Sequence, residues 1–184
     1  MKIFRVLIVT LSFGLLFISC SASVQLPEYT SAEEAYNQGR YQTALTFINR
    51  AIEIQKDQPE FYVLRAKASY KIGNKSLAMN DLNKALTLEK TFSALHLRGK
   101  LFLENNELEK AKSDFRSAYE LNPESADLLF DLGYLEYLNG ENQLALEYYL
   151  NASKIDSKNP ATYVNIGNLY AMMGDSKLAI DNYS

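Results

Sequence analysis

Few residues in this chain could do covalent or metal chemistry, and those few stand apart. Cys20 is the only cysteine and His96 the only histidine. One histidine cannot supply a two-His zinc motif, and no second thiolate completes a metal site or a disulfide. Neither a G-x-S-x-G nucleophile motif nor a phosphate-cradling G-x-x-x-x-G-K-S/T occurs. Carboxylates are numerous, but Glu104, Glu107 and Glu109 fall at a turn and a helix start, where acidic groups favour the helix dipole and stay solvated. The residues therefore assign no catalytic site, no metal and no cofactor. What remains is the lone thiol and non-covalent recognition.

The setting of Cys20 is specific. Lys2 and Arg5 precede an uncharged apolar run from Val6 to Ile18. A bilayer span needs about 20 apolar residues, so this run suits a signal-peptide core instead. It ends in Phe17-Ile18-Ser19-Cys20, followed by Ser21, Ala22 and Ser23. The segment resembles a bacterial lipoprotein signal, in which a small residue precedes a cysteine that accepts a lipid. Phe17 departs from the leucine usual in that signal. The resemblance implies cleavage before Cys20, acylation there with chains such as palmitate, and anchoring in the cell envelope, at the outer membrane or periplasmic face. A plain secretory signal cut after Ser23, giving a soluble periplasmic or secreted protein, is the alternative; a retained anchor is a third. In the lipoprotein reading residues 1–19 are the signal, 20–29 a lipidated linker and 30–184 the folded domain. Losing Lys2 and Arg5 reduces 19 basic residues to 17 against 22 acidic ones, a balance of −5. Nucleic-acid binders usually carry a basic excess that neutralises phosphates, so this balance argues against one.

The elements that would position any binding residues come from an internal repeat. Ala44, Ala78, Ala111, Ala145 and Ala179 are spaced 34, 33, 34 and 34 residues apart. Seven residues after the first four come Ala51, Ala85, Ala118 and Ala152. Twelve before the five come Ala32, Ala66, Gly99, Gly133 and Gly167, and five before them Gly39, Gly73, Asn106, Gly140 and Gly174. Ala, Leu, Lys, Glu, Asn and Tyr dominate the body, a helix-leaning composition. A coiled coil is excluded by the glycines, and a generic helical bundle is the remaining alternative.

This pattern resembles the tetratricopeptide repeat, whose 34-residue period carries small residues at these offsets. The resemblance implies an all-α solenoid, a right-handed superhelix of antiparallel helix pairs. The repeats run 25–58, 59–91, 92–125, 126–159 and 160–184, the last partial. Small residues at positions 8, 20 and 27 let helices approach. Gly or Asn at position 15 ends the first helix in left-handed geometry. The one-residue deletion falls near Lys90 and Thr91, in a connection. Helices are expected at about 30–38, 41–55, 59–72, 76–88, 92–105, 108–121, 125–139, 142–155, 160–173 and 176–184. Glu28 and Ser31 replace large apolar residues of repeat one, so its first helix should be short or frayed. The second helix of repeat five is incomplete at Ser184, with Ala179, Ile180 and Tyr183 on a face built to receive another repeat. That implies self-association or a longer native chain.

In this family the first helix of each pair lines a concave groove. Transferring the groove positions singles out Lys67, Tyr70 and Lys71 in repeat two, His96 and Lys100 in repeat three, Phe130, Tyr134 and Tyr137 in repeat four, and Asn168 in repeat five. The lysines and His96 form a basic stretch beside an aromatic one, the residue types that anchor peptides. The clamp that some relatives use for a C-terminal carboxylate is not supported, because Val63 and Lys67 occupy its positions. The expectation is a non-enzymatic, membrane-anchored adaptor that binds a protein or peptide partner, as in envelope assembly or secretion. The alternative is the recognition part of a longer enzyme or secretion component.

Overall fold

The structure, a computed structural model, describes residues 26–183. Cys20 and the signal segment lie outside the described residues. Among these, ten helices form five antiparallel pairs: α1 (Pro27–Asn37), α2 (Tyr41–Ile54), α3 (Pro59–Lys71), α4 (Lys75–Leu88), α5 (Phe92–Glu104), α6 (Leu108–Leu121), α7 (Ala126–Leu138), α8 (Asn142–Ile155), α9 (Pro160–Met172) and α10 (Ser176–Tyr183). Each helix packs most closely on its hairpin partner and next on its neighbour in sequence, and α1, α3, α5 and α7 also touch in series as one layer. This is an all-α solenoid. No described helix is long and apolar enough to cross a membrane.

The small residues lie where the helices cross. The position-20 alanines are 0% exposed in the first four pairs, and Ala179 is 4% exposed. Ala179 therefore packs inside its own hairpin rather than on an open end face, whereas Ile180 is 64% exposed. Position 8 is matched in volume to position 24 across the hairpin. Ala32 and Ala66 face Ile48 and Leu82, while Gly99 and Gly133 face Phe115 and Tyr149. A Cβ on Gly99 would stand 2.5 Å from the Phe115 ring, and one on Gly133 2.9 Å from the Tyr149 ring. Glycine appears at position 8 where an aromatic ring has taken the space.

Each turn inside a hairpin uses one left-handed residue. Gly39, Gly73, Asn106, Gly140 and Gly174 have φ of 73°, 82°, 60°, 81° and 87°. In the first turn the Gly39 N–H donates to Tyr36 O and the Arg40 N–H to Ala35 O, so the last carbonyls of α1 are satisfied as in a Schellman cap. The connection between α4 and α5 is one residue shorter than the others, which accommodates the 33-residue interval.

Helix α1 starts earlier than expected and is short, as expected. It begins at Pro27, three residues before the expected start and inside the expected linker, and it runs for 11 residues against 13 in α3. It is short but not frayed. Pro27 takes the first helical position, where a missing N–H costs nothing. Tyr29 stacks on Phe61 at 4.9 Å, and Tyr36 meets Tyr41 at 5.4 Å. The anchoring aromatics sit one residue away from where the repeat template puts them.

Position 7, expected to be apolar, carries Arg65 and Arg98 in the second and third pairs. Arg65 donates from Nε to Asp81 Oδ2 at 2.8 Å and from Nη1 to Asn49 Oδ1 at 2.9 Å. Arg98 repeats the arrangement with Asp114 at 2.7 Å and Asn83 at 2.9 Å. Each bracket ties three consecutive helices together through a carboxylate that is 3% or 5% exposed. In the fourth pair Leu132 and Tyr148 occupy the same two positions. The recurrence of Arg and Asp sixteen residues apart was the signal in the sequence.

Candidate functional site

The odd-numbered helices line two depressions that hold most of the expected groove residues. The larger, about 320 Å³, centres on the seam between α3 and α5. It brings together five expected groove residues: Lys67, Tyr70, Lys71, His96 and Lys100. Tyr36, Phe92 and Asp127 also line it, contributed by three different repeats. The second is about 80 Å³ and lies between α7 and α9, where Tyr134, Tyr137 and Asn168 meet Asn165 and Tyr149. Phe130 joins neither. It is half-buried and packs on Tyr149 at 5.4 Å, so it supports the wall from behind.

The electrostatics differ from a simple basic stretch. Asp131, which is 8% exposed, lies beneath the first depression. His96 Nε2 stands 2.7 Å from Asp131 Oδ2, and Lys100 Nζ stands 3.6 Å from the same oxygen. The His96 ring is flanked by Phe92 at 5.4 Å and Phe115 at 6.0 Å. His96 and Lys100 are therefore already answered by a carboxylate that sequence reasoning passed over. Asp131 is one residue from an expected groove position, and its neighbours lie 35 and 31 residues away, so adjacency in sequence could not pair them.

A second carboxylate closes the α3–α5 seam. Glu104 accepts from the Tyr70 hydroxyl and pairs with Lys75 Nζ at 2.6 Å. Burial alone would raise the Glu104 carboxyl, but the hydrogen bonds from Lys75 and Tyr70 outweigh it and hold it below its ordinary value. Tyr70 is pushed up to about 12, first by burial and then by its bond to Glu104.

Lys67 and Lys71 are different. No ion pair reaches either ammonium among the described residues. Burial pushes the Lys67 pKa down, with the charge of Glu33 opposing it. A half-buried ammonium without a carboxylate is the group in this site most able to accept an anionic partner. No cluster of three or more His, Cys, Asp or Glu that could hold a metal occurs among the described residues.

A stack of antiparallel helical hairpins with a lined groove defines a helical-repeat protein. The chain carries tetratricopeptide repeats: sequence models of that repeat match residues 59–92 and 96–160, together more than half of it. Among curated proteins it is similar to anaphase-promoting complex subunit 3 of Schizosaccharomyces pombe, 26% identical over 86% of this chain and 27% of that one. It is also 29% identical to BBSome complex member BBS4 of Bos taurus, over 79% of this chain and 28% of that one. The chain thus spans little more than a quarter of these relatives. Among solved structures it resembles PilF of Pseudomonas aeruginosa, with a TM-score of 0.77 and 18% identity over 85% of this chain and 72% of that one. MamA from Desulfovibrio magneticus RS-1 gives a TM-score of 0.74 and 18% identity over 85% and 89%. At such identities the likeness is one of fold.

Proposed function

We propose that this chain is a membrane-tethered adaptor that holds a polypeptide segment of a partner in the groove formed by its odd-numbered helices. The observation that carries the reading is the depression between α3 and α5, where five expected groove residues, unpaired Lys67 and Lys71 among them, converge beside Tyr36 and Phe92. Relatives whose names place them in multi-subunit assemblies support a scaffold role, as does the solved tetratricopeptide protein YrrB, described as having an unusual peptide-binding site. The tether is assigned to an acyl group on Cys20, on the strength of the apolar run and the Ser19-Cys20 pair. Two signals usually hold a peripheral protein stably, and several acyl chains on one cysteine meet that need at about 0.8 kcal/mol per buried methylene. The role is binding rather than catalysis, in a process such as envelope assembly or secretion.

Two measurements test the reading. Membrane fractionation of the expressed full chain should place it with membranes, and Cys20→Ala should move it to the soluble fraction; an unchanged distribution removes the tether. Crosslinked capture of partners by the wild type should be lost in the Tyr134→Ala/Lys100→Ala double variant. Capture undiminished in that variant removes the groove.

A further inference from the structure

The two ends of the groove differ in chemistry, and the difference specifies the occupant. At the α3–α5 seam the exposed wall offers two ammonium groups that no ion pair reaches, Lys67 and Lys71, framed by Tyr36, Tyr70 and Phe92. Asp127 is the carboxylate on the rim, while Asp131 and Glu104 are engaged by His96, Lys100, Lys75 and Tyr70. Seating an anion here relieves the desolvated charge of Lys67, which in the free protein the charge of Glu33 offsets only in part.

At the α7–α9 seam the wall carries no charge among its lining residues. Tyr134 and Tyr137 stack with centroids 6.5 Å apart and are 42% and 40% exposed. Leu138 and Val164 continue the surface at 42% and 46% exposure, and Met172 at 58%. Helical periodicity places Leu138 one turn from Tyr134, and Val164 and Met172 one turn either side of Asn168, so all share the concave stripe. Exposed aromatic, aliphatic and thioether groups in one concavity suit an apolar side chain.

Resting on the reading of this groove as a polypeptide site, we infer that it takes an extended segment with two anchors of opposite character. One is an Asp or Glu side chain seated between Lys67 and Lys71. The other is an aromatic or large aliphatic side chain on the Tyr134–Tyr137 shelf. The two seams are two helix-to-helix steps apart, roughly 16–20 Å at ~8–10 Å per step. An extended chain rising ~3.3 Å per residue covers that in about five or six residues. A side-chain carboxylate is assigned rather than a chain terminus because Lys67 also lines a further concavity of about 190 Å³ beyond it. The partner backbone continues there, and Glu33 and Glu60 on that wall repel a free carboxylate at that end.

The test is fluorescence polarisation of labelled, C-terminally amidated peptides against the full chain. Each peptide carries a Glu-Asp anchor and a Phe-Leu anchor, in both orders, joined by a Gly/Ser spacer of two or five residues or a helix-forming spacer of eleven. In one order the five-residue spacer should bind at least tenfold tighter than the two-residue spacer or either anchor alone. Lys67→Met should remove the benefit of the acidic anchor only, and Tyr134→Ala that of the apolar one only. Lys67→Met should leave the melting temperature equal or higher, which separates lost binding from lost folding. Equal affinity across the spacers, a preference for the helical spacer, or equal binding of a peptide whose only carboxylate is its free C-terminus would overturn the assignment. If no peptide discriminates while Tyr134→Ala/Lys100→Ala still abolishes partner capture, the anchors are wrong and the groove stands. If capture survives as well, the groove itself fails.

Discussion

The pairing of position 8 with position 24 makes a quantitative prediction at Gly99. Replacing Gly99 with Ala in an isolated helix would stabilise it by about 1 kcal/mol. In this protein the new Cβ would stand 2.5 Å from two carbons of the Phe115 ring and 3.3 Å from a third. Relaxing to ordinary contact at roughly 3.5 Å demands a movement of about 1 Å. The ring cannot swing aside, since Phe115 is 0% exposed and lies edge-on to His96 at 6.0 Å. Overpacking costs about 1–3 kcal/mol, and a contact this close to a pinned ring falls at about 2–3, so Gly99→Ala should destabilise by about 1–2 kcal/mol after the helix gain. Phe115→Leu alone should cost about 1–2 kcal/mol, less than full truncation of the ring. The double variant recreates the Ala66–Leu82 pairing already present one repeat earlier. It should therefore be no less stable than Phe115→Leu alone, a favourable coupling of at least about 1 kcal/mol. Urea unfolding of the four proteins measures this, with hydrogen exchange over α5 and α6 reporting the local effect. Strict additivity, or a Gly99→Ala protein as stable as the wild type, would refute the volume argument.

Two further outcomes follow from the polar contacts. Arg98→Leu leaves Asp114 buried without its cation and should cost about 3 kcal/mol, whereas Arg98→Leu/Asp114→Tyr, copying Leu132 and Tyr148, should recover most of it in urea unfolding. For Glu104 the folded pKa is depressed, so its stabilisation is present above the unfolded value of about 4.3 and is lost as pH falls through the lower folded value. The stability difference between wild type and Glu104→Gln should accordingly be constant from pH 7 to about 5 and shrink below about 4. A difference that does not change with pH would show that Lys75 and Tyr70 do not hold the ionised form.

The fold was largely legible because a period of 34 is overdetermined. Five copies of the same small-residue offsets placed nine of ten helices within a residue or two at each end. Where the reading failed, one repeat had solved a packing problem with different residues. Helix α1 replaces the template's apolar positions with Tyr29, one residue along, and gains a start from Pro27. At position 7 the second and third pairs replace leucine-type packing with an Arg–Asp bracket, whereas the fourth and fifth carry Leu132 and Ile166. The site was legible in part. Helix periodicity identified which side chains face the groove, but not which neutralise one another. Asp131 meets His96 through rotamers of two helices that touch only after folding, and Phe130 turned to the Tyr149 ring rather than to solvent.

The two kinds of position explain why recognition and folding separate so cleanly in this molecule. Residues that repeat lie at helix crossings or in the turns inside the hairpins, and carry the fold. The residues that do not repeat lie on the groove. Along position 9 the chain reads Glu33, Lys67, Lys100, Tyr134 and Asn168, and along position 12 Tyr36, Tyr70, Leu103, Tyr137 and Ala171. In a solenoid each repeat contacts only its neighbours, so a change at one groove position disturbs at most the seams on either side. The charge of the groove can therefore turn from acidic to basic to aromatic within four steps without altering a single helix crossing. On the proposed reading a partner would meet that row in order along the axis, so specificity would reside in the spacing between a carboxylate and an apolar side chain rather than in either contact alone.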